Sequence, residues 1–222
     1  MLQSLAAAGP AMAQQAVADP YEQLLDTIEA SMSEELILQS SVRALETRLR
    51  LDPTIATLER QRPGVVQLMS EAARPTLASY TRRVRADYRP RFVAVLRKRL
   101  TAEEVLEIAG FFESPIGRKL LAATASNYDG RAAGSAAAQG EAITSTQIRE
   151  DASAATGAAL ASLDEADQAE IAREAGSRPA LLKLGPVRAE FNEIRALMEG
   201  APMSAAEQAS LTAAIQAALR AR

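Results

Sequence analysis

The chemistry this sequence offers is concentrated in its arginines. Between residues 82 and 99 stand Arg82, Arg83, Arg85, Arg89, Arg91, Arg97, Lys98 and Arg99, opposed by Asp87 alone. The spacing of Arg82, Arg85 and Arg89 puts them on one face of a helix. A guanidinium presents a planar fork of donors that matches carboxylate and phosphate oxygens. Three readings of this face are open. It pairs with acidic segments of its own chain, it docks on an anionic partner such as lipid headgroups, cell-wall carboxylates or an acidic protein, or it binds nucleic acid. The formal net charge of -3 and the lack of a recognition motif count against nucleic acid. The layout of charge keeps the first two alive: residues 1–42 hold six acids and no base, 43–99 hold 14 bases and five acids, and 100–222 hold 11 bases and 17 acids.

Other chemistries are excluded by composition. Among 222 residues there is no Cys, no His and no Trp, and the aromatics are four Tyr and four Phe. That removes disulfides, thiolate nucleophiles, imidazole bases and zinc sites of the usual nitrogen and sulfur kind. No phosphate loop, nucleophile elbow or metal motif is present, so no catalytic residue, metal or cofactor is assigned. Adjacent carboxylates, Glu34/Glu35 and Glu103/Glu104, are pairs that acid–base chemistry uses, but at a helix start they serve capping and the helix dipole.

The elements that position these groups are helical. The chain has 48 alanines, the residue with the best helix propensity, and few of the β-branched and aromatic residues that strands need. No apolar run is long enough to cross a membrane. The fold class is therefore all-α, a multi-helix bundle of antiparallel hairpins. Asp19-Pro20, Asp52-Pro53 and Ser114-Pro115 give a capping residue followed by proline at the first helical position, and Ser33 and Asp164 also read as caps. Thr101–Glu104 and Ser204–Glu207 are capping boxes. Val65, Met69, Ala73, Leu77, Tyr80, Val84, Tyr88, Phe92, Leu96 and Leu100 form one drifting helical stripe, in which Pro75 and Pro90 predict a kink or a division. Residues 122–161 are rich in Ala, Gly, Ser and Thr, which predicts long helix weakened at Gly130, Gly134, Gly140 and Gly157. Such thin helices either pack closely or leave a cavity, so a carrier for an apolar or lipid-like ligand is the alternative function.

The segment Leu100–Ala109 aligns with Leu163–Ala172, and Ser114-Pro115 with Ser177-Arg178-Pro179. This predicts an internal repeat of a capped helix, a Ser/Pro break and a second helix. The expected organisation is a linker at 14–19, a helical domain at 20–162 and a second hairpin unit at 163–222 packing on it. Residues 2–13 are small and apolar, ending Ala11-Met12-Ala13 before Gln14, the small-x-small shape of a signal-peptide cleavage site. The expectation is export to the periplasm or beyond, with cleavage after Ala13 and the start of the signal missing.

The stretch Thr101–Leu121, with Phe111, Phe112, Ser114, Pro115, Gly117 and Lys119 in order, resembles the hallmark segment of the bacterial family known as domain of unknown function 2059. That resemblance implies an all-α, usually exported envelope protein of Gram-negative bacteria, with no known activity or cofactor. The residues themselves read as structural: Ser114 caps, Pro115 opens a helix, Gly117 permits close approach, and one of the two phenylalanines belongs to the core. Taken together, these readings give a non-catalytic protein that binds an anionic partner, with Arg82, Arg85 and Arg89 as its candidate face.

Overall fold

In a computed structural model, residues 19–30 and 34–220 are described. Every regular element among them is helical: α1 (Pro20–Ala30), α2 (Glu34–Leu51), α3 (Pro53–Gln61), α4 (Val65–Arg99), α5 (Ala102–Phe112), α6 (Pro115–Asn127), α7 (Arg131–Gln139), α8 (Ser145–Ser162), α9 (Glu165–Ser177), a tight 3-10 turn at Pro179–Lys183, α10 (Leu184–Glu199) and α11 (Ala205–Arg220). The expected cleavage site, the cap Ser33 and the side chain of Leu36 lie outside the described residues.

Helix α4 is the spine. Its 35 residues span about 52 Å. A step of four residues advances about 40° beyond a full turn, so the stripe from Val65 to Leu100 winds some 260° around the helix. No single neighbour can cover it, and three clusters do so in turn. Near the start of α4, Val65, Val66 and Met69 pack with Leu49, Ile55, Leu58, Ile215 and Leu219. Midway, Ala73 and Leu77 pack with Leu38, Val42 and Leu211. At the end, Phe92, Val93 and Leu96 pack with Leu24, Leu25, Val105, Ile108 and Val187. Helices α2, α3 and α11 thus cover the first half and α1, α5 and α10 the second. Tyr80, Tyr88 and Tyr21 lie at the edges of this core with their hydroxyls donating to the carbonyls of Ala201, Leu197 and Leu100.

Two expectations are narrowed. Of the kink or division expected at Pro75 and Pro90, division does not occur, and α4 runs through both as one helix. Both rings are exposed, so water can take the carbonyl that each leaves unpaired, and burial along the stripe outweighs a cost of about 3 kcal/mol per proline. Residues 122–161 form three helices rather than one long one. The breaks fall at Gly130 (φ 58°) and Gly140 (φ 76°), in the left-handed region that glycine enters without penalty. Gly134 and Gly157 sit inside helices.

Of the two sequence-similar units, α5 buries Val105, Ile108, Ala109 and Phe111, whereas α9 has no buried residue. The two do not share a packing environment. Helices α9, α10 and α11 each lie against earlier parts of the chain: α9 on α6, α10 on α4 and α8, α11 on α4.

Leu24 is fully buried. Replacing it with Ala should cost about 2–5 kcal/mol in urea unfolding. Asp26→Asn, which loosens an exposed ion pair of the same helix, should cost less than about 1 kcal/mol. The reverse order would mean that charge, not the core, holds α1.

Candidate functional site

The arginine face of α4 is not left to solvent. Arg82 Nη1 donates to Glu34 at 2.9 Å. Arg85 lies 3.6 Å from Glu29. Arg89 donates to Glu22 at 3.0 Å, Asp26 at 2.8 Å and Glu29 at 2.8 Å, three carboxylates around one guanidinium. Arg97 pairs with Asp19, Arg74 with Glu35, and Lys98 and Arg99 share Glu190. Arg83 grips Glu207 through two donors at 2.9 and 2.8 Å. Arg91 stacks on the Tyr88 ring at 4.6 Å. The intramolecular pairing, one of the three readings of this face, is present, and an anion arriving at Arg82, Arg85 or Arg89 would compete with Glu34, Glu29, Glu22 or Asp26 in partly exposed ion pairs.

The candidate carboxylate pairs are engaged as well. Glu34 and Glu35 hold Arg82 and Arg74. Glu104 closes the capping box with Thr101 and pairs with Lys183. The Lys183 ammonium, then the Thr101 amide, keep the Glu104 carboxyl below its usual range, which suits a fixed anion rather than a proton donor at neutral pH. Among the described residues, no three of Asp, Glu, His or Cys are placed to hold a metal ion.

The segment from Phe111 to Lys119 is a tight corner between α5 and α6. Ser114 Oγ accepts from the Gly117 amide at 3.0 Å and donates to the Phe111 carbonyl at 2.7 Å, with Pro115 opening α6. At Gly117 the two helices cross so closely that a Cβ would lie 1.9 Å from the Phe111 carbonyl oxygen. Phe111 is buried, and Phe112 is half-buried against the core with its ring 5.3 Å from that of Phe111. Lys119 pairs with Asp167 and so ties α6 to α9.

Residues 86–145 match a bacterial family. Its description is an uncharacterized protein conserved in bacteria, DUF2059. No curated protein and no solved structure matches the chain. The DUF2059 span begins in α4, takes in the whole α5–α6 corner and α7, and stops where α8 starts. It includes Arg89, Arg97, Lys98 and Arg99 of the ion-paired face, and leaves α1, α2 and α3 outside.

A group of cations that sequence reasoning did not single out lies on those outside helices. Arg43 and Arg48 of α2, Arg60 of α3 and Arg62 just after it are exposed, and none has a carboxylate partner among the described residues. Of the nearby acids, Glu46 is held by Arg50 and the Ser70 hydroxyl, and two others by backbone. Asp52 accepts from the Thr54 and Ile55 amides at 2.8 and 3.1 Å and caps α3. Glu59 accepts from the Gly64 and Val66 amides, both at 2.9 Å, at the start of α4. The Val66 amide, then that of Gly64, hold the Glu59 carboxyl below its usual range. Leu51, the last residue of α2, is 62% exposed. The signal for this group was the excess of bases in residues 43–62, hidden behind the denser run that follows.

Two outcomes are expected. Gly117→Ala should destabilise the fold by about 3 kcal/mol or more, because backbone must move, while Gly157→Ala, with nothing within 4 Å, should stabilise it by about 0.5–1 kcal/mol; urea melts compare them. The Arg83 guanidinium, then the Ser204 amide, hold the Glu207 carboxyl down at about 2, against 4.5 ordinarily. Its contribution is therefore complete above pH 4.5 and is lost as the pH falls from 4.5 toward 2. Glu207→Gln should flatten the stability–pH curve across that window, and an unchanged slope would contradict the assignment.

Proposed function

We propose that this is an exported, non-catalytic helical protein of the bacterial envelope that binds an anionic surface there, through the α2–α3 end rather than the arginine face of α4. The observation that carries the reading is the uneven use of charge. On α4, Arg74, Arg82, Arg83, Arg85, Arg89, Arg97 and Arg99 pair with carboxylates and Arg91 stacks on Tyr88, whereas Asp52 and Glu59 hold helix N-termini and leave Arg43, Arg48, Arg60 and Arg62 without a carboxylate partner among the described residues. An exposed leucine among arginines is the chemistry of a membrane-surface contact: apolar area enters the headgroup layer while cations meet phosphate. Export is supported by the Ala11-Met12-Ala13 pattern ahead of Gln14. Envelope residence also fits the bacterial family matched over residues 86–145.

The test is co-sedimentation with vesicles, one set of phosphatidylglycerol and phosphatidylcholine, the other of phosphatidylcholine alone. Binding is expected to the anionic set only, to weaken as salt rises, and to fall about tenfold or more in Arg48→Glu/Arg60→Glu/Arg62→Glu. Absence of anionic-vesicle binding, or a triple variant that binds like the parent, overturns the reading.

A further inference from the structure

Helices α1, α6, α8 and α10 do not close completely on one another. Between them lies a cavity of about 130 Å³, walled by Ile28, Leu121, Ala125 and Ala152, with Tyr128 and Arg195 contributing its polar end. The small residues of α6 and α8 contribute to it: these two helices pack on each other and present Ala125 and Ala152 to the space. Thr124 and Thr156 also line the space, but their hydroxyls donate to the Leu120 and Ala152 carbonyls of their own helices. They bring no unshared donor.

Arg195 does. Its Nη2 donates to the Tyr128 hydroxyl at 2.7 Å and to Glu199 at 3.1 Å, and its guanidinium lies over the Tyr128 ring at 5.0 Å. Its Nε and Nη1 have no partner among the described residues, although the side chain keeps only 20% of its surface exposed. Neither donor is sealed from solvent, and a guanidinium with unshared donors at the edge of an apolar space offers them to one acceptor atom.

Size and charge narrow the occupant. An apolar cavity of about 150 Å³ takes benzene, whereas sites for larger organic molecules run to several hundred Å³. A lipid chain with its headgroup does not fit here. Glu199 already neutralises Arg195. A carboxylate entering would compete with it. We infer that this cavity binds a neutral, benzene-sized organic molecule bearing one acceptor oxygen, seated among Ile28, Leu121, Ala125 and Ala152 with its oxygen toward Arg195. This site is independent of the α2–α3 surface, and neither stands or falls with the other.

The experiment is a ligand-observed NMR titration of the full chain with three shape-related probes: acetophenone, benzoate and toluene. Acetophenone should bind, and benzoate and toluene should bind about tenfold more weakly or worse, the first for its charge and the second for its missing acceptor. Ala152→Leu, which fills the cavity, should lose acetophenone binding by a similar factor while keeping the parent's circular dichroism. Ala125→Val narrows the same space if the leucine is not accommodated. No acetophenone binding to the parent, equal or better binding of benzoate, or unchanged binding in a folded cavity-filling variant overturns the inference.

Discussion

The arrangement rests on two patterns that agree in register between residues 19–51 and α4. One is apolar. Leu24 and Leu25 meet Phe92 to Leu96, Leu38 and Val42 meet Ala73 and Leu77, and Leu49 meets Val65 to Met69. The other is charged. Asp19 meets Arg97, Glu22 and Asp26 meet Arg89, Glu29 meets Arg85 and Arg89, Glu34 meets Arg82, and Glu35 meets Arg74. In both sets the partner's number falls as the residue number rises, so the two stretches run in opposite directions. Exposed ion pairs contribute little stability singly, of order 0–1 kcal/mol. Their value here lies in exclusion. A slip of α1 by one turn would move Leu24 off its site and set acids opposite the wrong arginines, so charge and packing reject the same errors.

The α5–α6 corner serves the same spine from the other side. Phe111, buried at the end of α5, can turn immediately into α6 because Ser114 caps, Pro115 is preset and Gly117 has no side chain. Helix α5 can then cover the last turns of α4 while α6 leads away to α8, and Lys119 fixes α9 to the outgoing helix. The order of residues in the segment that matches the bacterial family is therefore explained by a steric crossing and a cap.

Much of this was legible in sequence because it depends on local periodicity. The α4 stripe could be read as a drifting line, and its members Val65, Met69, Ala73, Leu77, Val84, Phe92, Leu96 and Leu100 are buried. Caps at Asp52, Thr101, Ser114, Thr144 and Ser204 follow from residue type within a single turn, and of these only Thr144 went unread. What could not be read was pairing between distant segments. The sequence held acids before residue 43 and bases after it, but whether they met required the fold. Asp151 shows the same limit: its carboxylate accepts from the Ala132 and Ala133 amides at 2.8 and 3.0 Å, capping α7 from a different helix, a contact that no local pattern encodes. Whether the prolines of α4 would divide it was likewise open, because local propensity does not include the burial that opposes a break.

The contrast between the two ends of the spine is what gives the charge layout functional content. A cation next to a carboxylate is already solvated by protein and gains little from a new anion, since the old partner must be released first. A cation whose neighbouring acids are hydrogen-bonded to amides is in a different position. Those acids cannot turn toward it without uncapping α3 or α4, so it keeps its attraction for external anions at little cost to the fold. Arg89, with three carboxylates around it, belongs to the first kind, and Arg48 and Arg62 belong to the second. The density of arginine in a sequence is thus a poor guide to where an anion will bind. The commitments of the surrounding carboxylates weigh as well, and on the proposed reading they favour the α2–α3 end over the most basic stretch of the chain.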